Sequence, residues 1–277
     1  SDPNSIYDIA TINITQPLQL SNITTQNSQL LCNGDCNASV SVNINGGTPP
    51  YSIAFGGGSS TIVSSFDSIY SNLCAGTYSI SVTDANSCSV DAGSPTSTTV
   101  SEPPALIPNA NISSDYNGED ISCFGAADGE ITAAVSGGTP PYTYSLDGIT
   151  YGSSTVLSGL SAGTYTVYYK DDNGCDTSES VTLNNPPDLS GVVSISSQVS
   201  CFGVCDGELT FQVNSILTGT APYTYSIAIA GTAGAFQTSN IFAGLCGNTT
   251  YSITVKDAND CIFSTSQFLP EPTQISF

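Results

Sequence analysis

The string GGTPPY decides how this chain is organised, because it occurs at residues 46–51 and again at residues 137–142, with a looser copy, TGTAPY, at residues 218–223. Glycine relaxes the backbone, while proline fixes φ near −65° and removes an N–H donor, so no β-ladder continues through the string. The string therefore predicts the end of one strand and the start of the next. The following tyrosine is expected to be the first inward-facing residue of the new strand, with a binding role as the alternative. These tyrosines are Tyr51, Tyr142 and Tyr223.

The sequence shared by the copies extends well beyond six residues. In each copy the shared sequence runs from a C-x-G loop to a D-x-N-x-C loop and then to a proline-containing segment, SEPP, NNPP or LPEP. The C-x-G loops are residues 32–34, 123–125 and 201–203, and the D-x-N-x-C loops are residues 84–88, 171–175 and 257–261. We predict tandem homologous copies of about 85 residues each. The predicted boundaries are 17–104 for the first copy, 105–187 for the second and 188–272 for the third, with 1–16 as the end of a preceding repeat and 273–277 as the start of a following one. The chain is thus expected to be part of a longer array.

The hydrophobic residues of each copy recur with a period of two. Tyr78, Ile80 and Val82 alternate with polar residues in the first copy, and the same pattern returns around residues 251–255. Further Val-, Ile- and Thr-rich runs lie at residues 38–45, 129–136 and 207–213. Such half-buried strands, without any helical period, predict an all-β fold of immunoglobulin-like antiparallel β-sandwiches. The segment AGTY is similar to a tyrosine corner. Proline-rich junctions predict that the copies lie end to end as an elongated rod.

Charge and hydropathy narrow the classes of partner. The chain has 277 residues, with 23 acidic residues against two lysines, and a formal net charge of −21. A chain so poor in basic residues repels phosphates, so nucleic-acid binding is excluded. Only 9% of residues are charged and 39% are hydrophobic, which is typical of a folded chain rather than a disordered one. No apolar run is long enough to span a bilayer, so we expect a soluble chain without membrane insertion.

The ten cysteines divide among the copies as four, two and four, and an even number in each copy predicts disulfides within each copy. The second copy has only Cys123 and Cys175, so a bridge within that copy has to join them. Alignment of the copies then gives the other pairs, which are Cys32–Cys88, Cys36–Cys74, Cys201–Cys261 and Cys205–Cys246. A zinc site is the alternative, because Cys32/Cys36 and Cys201/Cys205 have ligand-like spacing, but the chain has no histidine. Disulfides predict an extracellular location.

The sequence lacks most of the residue types and motifs that common catalytic sites require. Without histidine there is no Ser-His or Cys-His pair and no imidazole base. No glycine-rich phosphate loop is present. Acidic residues recur at matching positions of the copies, which indicates structural roles rather than a single pair of catalytic carboxylates. We therefore expect no enzymatic activity, no catalytic residues and no cofactor.

The D-x-N-x-C loops carry the strongest acidic pattern. An aspartate and an asparagine two residues apart could bind Ca²⁺, or they could simply form a hairpin turn. A second source of oxygen ligands is DGE at 128–130 and 206–208, but the first copy has Asn37, Ala38 and Ser39 there. The turn interpretation needs no ion, and calcium is the alternative. The loop pairs are Asp84/Asn86, Asp171/Asn173 and Asp257/Asn259.

Taken together, these motifs resemble the SprB repeat, which is found in giant cell-surface adhesins of Bacteroidota, including a gliding-motility adhesin. The resemblance rests on the C-x-G start with DGE, the GGTPPYTYS core, L-x-A-G-T-Y, D-x-N-G-C and the closing EPP or NPP, and it covers about residues 17–272. The third copy departs from the pattern with TGTAPY and GNTTY. The extra cysteines of the first and third copies are a further departure.

The resemblance implies a non-catalytic segment of a secreted, surface-attached filament that is exported by type IX secretion and moved by gliding machinery. Its partners would be an extracellular polysaccharide or a solid surface, together with neighbouring repeats of the same chain. The alternatives are a passive stalk that carries a distant binding tip and a spacer within a secreted enzyme. Exposed aromatic residues on a sheet face would favour adhesion, and Tyr168, which is out of phase with its inward-facing neighbours, is the candidate.

Overall fold

A computed structural model describes residues 12–64, 66–90, 94–214, 219–229 and 231–276. These residues form 20 β-strands and no helix, and all strand pairs are antiparallel, which confirms the predicted all-β class. Among them there is accordingly no helix long and apolar enough to cross a membrane. The chain divides into two compact units. Unit 1 comprises Ser1–Leu106, Gly137–Pro140 and Asp172–Cys175, and unit 2 comprises Ile107–Ser136, Pro141–Asp171 and Asp176–Phe277.

Unit 1 contains one β-sandwich. One sheet has the strand order β1-β2-β5 and the other has the order β4-β3-β6-β7. Chain neighbours β2 and β3 lie in different sheets, as do β5 and β6, which is typical of an immunoglobulin-like sandwich. The strands are β1 (Ser21–Ser28), β2 (Ala38–Asn45), β3 (Tyr51–Phe55), β4 (Thr61–Val63), β5 (Asp67–Leu73), β6 (Gly76–Thr83) and β7 (Ser97–Val100).

The core of this sandwich follows from the alternation in the sequence. Along β2 every second residue is buried, while the serines and asparagines between them are more exposed. Side chains at i, i+2 and i+4 share one face of a strand, so the apolar set packs against the other sheet. One core cluster joins Val42 and Ile44 of β2 to Ile53 of β3 and to Ile80 and Val82 of β6.

Unit 2 contains two further sandwiches, of which the first has sheets ordered β11-β9-β8 and β10-β12-β13. Its core joins Ile131 of β9 to Tyr144 of β10 and to Val167 and Tyr169 of β12. The strands are β8 (Ile107–Ile112), β9 (Ala127–Ser136), β10 (Thr143–Ser145), β11 (Val156–Ser161), β12 (Gly163–Lys170) and β13 (Asp176–Leu183).

The second sandwich of unit 2 has sheets ordered β14-β15-β18 and β17-β16-β19-β20. Leu209 and Phe211 of β15 pack with Ile253 and Val255 of β19 in its core. The strands are β14 (Gly191–Ser197), β15 (Gly207–Val213), β16 (Thr224–Ile229), β17 (Thr232–Ala233), β18 (Ile241–Leu245), β19 (Thr249–Lys256) and β20 (Ile262–Leu269).

The GGTPPY strings separate strands, as predicted. The first lies between β2 and β3 and the second between β9 and β10. Gly46 has a φ of 73°, and a Cβ there would lie 2.2 Å from the Gln19 carbonyl oxygen. A Cβ on Gly137 would likewise clash with the Ala105 carbonyl oxygen. Only glycine therefore fits the first position of the string. In TGTAPY this position is Thr218, which lies outside the described residues.

The tyrosine after the string packs in or against the core in all three copies, but it is fully buried in only one. Tyr51 is 1% exposed, but Tyr142 and Tyr223 are half-buried, and the residues two positions later, Tyr144 and Tyr225, are buried instead. The new strands β10 and β16 begin one residue after the tyrosine rather than at it. The predicted core contact of the tyrosine is therefore confirmed, but in the second and third copies the tyrosine lies just before the new strand and the residue two positions later is more deeply buried.

Tyrosine corners are present where AGTY predicted them. The Tyr78 hydroxyl donates to the Cys74 carbonyl at 2.9 Å, and the Tyr165 hydroxyl donates to the Ser161 carbonyl at 2.9 Å. Tyr251 makes the corresponding bond to the Cys246 carbonyl at 3.0 Å, although its segment reads GNTTY. These bonds tie the start of a late strand to the turn before it.

The predicted copy boundaries stay a prediction, as does the end-to-end rod. Most of the predicted end of a preceding repeat, residues 1–11, lies outside the described residues, as does Phe277 of the predicted following repeat. The described strands of each sandwich fall at positions 21–100, 107–183 and 191–269. We keep the terms first, second and third copy for the sequence ranges defined above.

Candidate functional site: the disulfide-linked loops

The aspartate of the D-x-N-x-C loop ties two loops of its own copy together. One carboxylate oxygen of Asp84 accepts the backbone N–H groups of Asn86 and Cys88, both at 2.9 Å, and the other accepts the N–H of Thr48 at 3.0 Å. The side chain is buried. The hydrogen bond from the Cys88 backbone is the main reason that the pKa of Asp84 lies below its usual value. The loop that ends in Cys88 is thereby fixed against the GGTPPY string.

The third copy repeats this arrangement. The buried Asp257 carboxylate accepts the N–H groups of Thr220, Asn259 and Cys261, each at 2.9 Å. Asp171 is equally buried in the second copy. A carboxylate that accepts several backbone N–H bonds is stabilised as an anion without any cation. The geometry therefore supports the turn interpretation of these loops.

The aspartates of DGE also form local hydrogen bonds. Asp128 accepts the N–H of Ser122 at 3.1 Å, and Asp206 accepts the N–H of Ser200 at 2.9 Å. Hydrogen bonds from Ser200 lower the pKa of Asp206. Each aspartate thus shapes the segment just before a C-x-G cysteine. Within the described ranges no group of three or more His, Cys, Asp or Glu side chains is arranged to hold a metal ion. Calcium binding by this chain stays a prediction for experiment.

The C-x-G loop is held by a residue that the sequence reasoning did not single out. Glu102 accepts the N–H of Gly34 at 2.7 Å, and Glu271 accepts the N–H of Gly203 at 2.6 Å. In the second copy, the side-chain oxygen of Asn185 accepts the N–H of Gly125 at 3.0 Å. The sequence signal for this contact is a polar residue, Glu102, Asn185 or Glu271, that recurs just before or between the closing prolines of each copy. All three loop glycines have positive φ, so the loop has the same backbone turn in each copy.

The disulfides of the structure differ from the predicted scheme in their long-range pairs. Cys32 is bonded to Cys175, and the two Cα atoms are 5.6 Å apart. Cys123 is bonded to Cys261, also with a Cα separation of 5.6 Å. Each bond therefore joins the C-x-G loop of one copy to the D-x-N-x-C loop of the next. The predicted pairs Cys32–Cys88, Cys123–Cys175 and Cys201–Cys261 were wrong.

The geometry of β2 explains this correction. Cys32 lies just before the start of β2, whereas Asp84 holds the Cys88 loop against the string that follows the end of β2. A strand of eight residues at roughly 3.3 Å per residue separates its two ends by about 26 Å. A disulfide requires Cα atoms less than about 7 Å apart. The two cysteines of one copy therefore lie at opposite ends of the sandwich, and each is free to meet another copy.

The short-range bridges were predicted correctly. Cys36–Cys74 and Cys205–Cys246 are both bonded, and each has a Cα separation of 3.9 Å. In the first copy, Ala38 of β2 pairs directly with Leu73 of β5, so the cysteines beside this pair meet across adjacent strands. Gly207 and Leu245 pair in the same way in the third copy. Cys88 and Cys201 are exposed and form no disulfide within the structure.

Asparagines of the D-x-N-x-C loops reinforce the bonds between copies. The Asn173 side-chain amide donates to the Leu31 carbonyl at 3.1 Å, next to Cys32. In the same position of the next copy, the Asn259 amide donates to the Tyr116 carbonyl at 3.0 Å, and Asn117 donates to the Asn259 side-chain oxygen. The disulfide and the asparagine together fasten one copy to the C-x-G end of the preceding copy.

Tyr168, the residue expected to mark an adhesive face, is half-buried. A Cβ on Gly148 would lie 3.4 Å from the tip of its ring, so the ring packs over this glycine. Nearby in the same sandwich, the Lys170 ammonium lies 4.3 Å from the centre of the Tyr151 ring. The aromatic surface at Tyr168 is therefore partly covered by its own copy.

A comparison with known protein families finds one that two segments of the chain match. The family model of the SprB repeat matches residues 24–59 and residues 116–150, and each match includes a C-x-G loop and a GGTPPY string. No curated protein matches the chain.

Several solved structures of tandem domains are similar to it at low identity. The three N-terminal domains of the bacteriophage RB49 highly immunogenic outer capsid protein match at 13% identity, covering 92% of this chain and 99% of that chain, with a TM-score of 0.36. A C-terminal intimin fragment matches at 15% identity, with coverage of 65% and 68% and a TM-score of 0.34. Protocadherin gamma B2 domains 3–6 match at 13% identity, with coverage of 89% and 72% and a TM-score of 0.31. The family match agrees with the resemblance carried by the motifs, and two segments of the chain are thus similar to the SprB repeat.

Proposed function

We propose that this chain is a load-bearing, non-catalytic repeat segment of a secreted adhesin filament on a cell surface. The observation that carries the proposal is the pair of disulfides that join successive copies, Cys32–Cys175 and Cys123–Cys261. The match to the SprB repeat supports a role as a surface repeat. Four disulfides in one chain support an oxidising, extracellular location.

The disulfides give the chain a short covalent path under tension. A pull on both ends passes from residue 1 to Cys32, crosses to Cys175, runs back to Cys123, crosses to Cys261 and continues to residue 277. This path contains about 100 residues, or roughly 350 Å at ~3.5 Å per residue. The full chain of 277 residues would extend to about 970 Å. The oxidised chain can therefore extend to only about a third of the length of the reduced chain.

The acidic residues support a structural role rather than catalysis. Asp84, Asp206 and Asp257 all accept backbone N–H groups of their own loops. A general base needs a carboxylate that is free to take a proton from a substrate. The chain also has no histidine. We therefore assign these carboxylates to loop geometry.

A passive stalk is the second candidate, and the packing of Tyr168 favours it. Because this ring lies over Gly148, little of it is available to stack on a sugar. An adhesive segment would bind an extracellular polysaccharide or a solid surface directly, whereas a stalk would hold a distant tip. Beads coated with the chain decide between the two when they are rinsed from a polysaccharide layer or bare glass. Retained beads support the adhesin, and beads lost as readily as albumin-coated ones support the stalk.

Pulling the chain by its two ends in an optical trap tests the load-bearing role. We expect the oxidised chain to reach its extension limit near roughly 350 Å and the reduced chain near about 970 Å. The double variant Cys123→Ser with Cys261→Ser should extend further than the oxidised parent. The variant Cys36→Ser with Cys74→Ser is the matched control, because this bridge lies off the covalent path and its loss should leave the limit unchanged. An oxidised chain that extends as far as the reduced chain would contradict the proposal.

A further inference from the structure

The two cysteines without a disulfide belong to the two different loop types. Each bond between copies joins a C-x-G cysteine to the D-x-N-x-C cysteine of the following copy. Cys201 belongs to the C-x-G type and Cys88 to the D-x-N-x-C type. Both are exposed. The chain therefore presents one thiol of each kind, and the two kinds are complementary.

The third copy shows what surrounds such a bond. A groove of about 200 Å³ lies beside Cys261, and Cys123 and Phe124 of the second copy form one of its walls. The C-x-G loop of the second copy is thus a wall of this groove as well as a disulfide partner. The rest of the lining includes Pro186, near the end of the second copy, and Leu189, Asp257 and Cys261 of the third copy.

The first copy has a groove at the same positions beside Cys88. Its volume is about 270 Å³. Four of its lining residues are the sequence equivalents of the four residues just named, and Leu18 also lines it. The equivalents are Pro17, Leu20, Asp84 and Cys88. The surface that receives a C-x-G loop in the third copy is therefore also formed in the first copy, with a thiol at its edge.

The complementary loop is present at Cys201. Gly203 has positive φ and donates to Glu271, as Gly34 does to Glu102 in the C-x-G loop that is bonded to Cys175. Phe202 takes the position of Phe124 and is 53% exposed. This loop has the same backbone turn as the two bonded loops and the same glutamate support as the loop at Cys32.

We propose that Cys88 and Cys201 are the two halves of further inter-repeat disulfides. The groove at Cys88 takes the C-x-G loop of another SprB repeat, and Cys201 takes the D-x-N-x-C loop of another. A second copy of this chain supplies both partners, so Cys201 of one molecule bonds to Cys88 of the next. Such a head-to-tail contact joins two different surfaces and leaves one of each free, so it propagates as an open chain.

The reaction is an ordinary thiol–disulfide exchange. The Cys88 thiolate attacks oxidised glutathione and releases one reduced glutathione, and the Cys201 thiolate of a second molecule then attacks the mixed disulfide and releases another. Two thiols are oxidised and one glutathione disulfide is reduced, and the two protons of the cysteine thiols end on the two released glutathione thiols. The grooves and loops bring the correct thiols together, so the product is expected to be asymmetric.

The test mixes two variants, Cys88→Ser and Cys201→Ser, after each is purified with its four internal disulfides intact. With oxidised glutathione, each variant alone should remain monomeric, and the mixture should form a dimer that dithiothreitol reverses. Peptide mapping should find Cys201 of the first variant bonded to Cys88 of the second. Wild-type chain should form a ladder of dimers, trimers and longer species. Symmetric Cys88–Cys88 or Cys201–Cys201 dimers, glutathione adducts alone, or a Cys88–Cys201 bond within one molecule would overturn the proposal.

A groove variant separates docking from simple thiol reactivity. Leu18→Glu places a charge on the groove, and Ile62→Glu places the same charge on β4, outside the groove lining. We expect Leu18→Glu to slow dimer formation while Cys88 reacts with a small disulfide reagent at its normal rate. Ile62→Glu should leave both rates unchanged. Equal slowing by both variants, or by neither, would contradict docking at the groove.

Discussion

Cys32 and Cys175 are 143 positions apart in the sequence, yet their Cα atoms lie 5.6 Å apart and their sulfur atoms are bonded. The bond crosses from the first copy of the repeat to the second, and Cys123 and Cys261 repeat it one copy later. In both cases a loop that contains a buried aspartate meets a loop that is held by the carboxylate or amide of the closing segment. This relationship turns a series of small sandwiches into a covalently cross-linked array.

Removing the buried aspartate of a D-x-N-x-C loop should weaken its sandwich. Asp257→Ala leaves the N–H groups of Thr220, Asn259 and Cys261 without their acceptor, and we expect a loss of at least about 2 kcal/mol in the free energy of unfolding. Guanidinium titration followed by circular dichroism measures it.

Asp260→Asn is the matched control, because it removes the same charge three residues away and asparagine tolerates the positive φ at this position. The Asp260 side chain is exposed and pairs with Lys256 at 2.8 Å, a surface contact worth about 0–1 kcal/mol. Equal losses from the two variants would show that charge, rather than the buried hydrogen bonds, is responsible.

Deleting the bridge between the second and third copies should destabilise the chain more than deleting a bridge within a copy. In the chain-entropy model, a loop of 138 residues contributes about 5 kcal/mol and a loop of 41 residues about 4 kcal/mol. We therefore expect Cys123→Ser with Cys261→Ser to lower the denaturation midpoint further than Cys205→Ser with Cys246→Ser. The reverse order, with both double variants folded, would be inconsistent with a native bond between Cys123 and Cys261.

Acid should destabilise the chain through its loop aspartates. The pKa values of Asp84, Asp147 and Asp206 are lowered in the folded state, chiefly by hydrogen bonds from the Cys88 backbone, the Ser145 hydroxyl and Ser200. The unfolded chain then binds more protons than the folded chain below the ordinary pKa of 3.8. The stabilisation is complete above that value and is lost as the pH falls through the lower folded-state pKa values. Melting temperatures measured from pH 7 to pH 2 should show it, and Asp84→Asn should flatten the curve.

Much of the fold was predictable from the sequence, because each copy repeats a strict alternation and a strict turn. The run 38–45 became β2 with the same ends, and the tyrosine corner followed from AGTY. The long-range disulfides were not predictable by counting cysteines within a copy. Counting treats Cys32 and Cys88 as neighbours, whereas the length of β2 places them at opposite ends of the sandwich. The even number in each copy arises from one short bridge, or none, plus two cysteines that face different neighbours.

Calcium should leave the stability unchanged beyond a salt effect. The carboxylate oxygens of Asp84 and Asp257 already accept backbone N–H groups, so a cation would have to compete with them. We expect Ca²⁺ to shift the melting temperature no more than NaCl of equal ionic strength, since screening alone relieves repulsion at a net charge of −21. A larger rise that EDTA reverses would instead support a calcium site.

The most direct test of the account is a disulfide map of the unreduced monomer, purified without added oxidised glutathione. Free thiols are alkylated at acid pH and the chain is cleaved with pepsin, because Lys170 and Lys256 are the only sites for trypsin. We predict linked peptides for Cys32–Cys175, Cys123–Cys261, Cys36–Cys74 and Cys205–Cys246, with the alkyl label on Cys88 and Cys201. Linked peptides for Cys32–Cys88, Cys123–Cys175 and Cys201–Cys261, with no labelled cysteine, would contradict the cross-linked array.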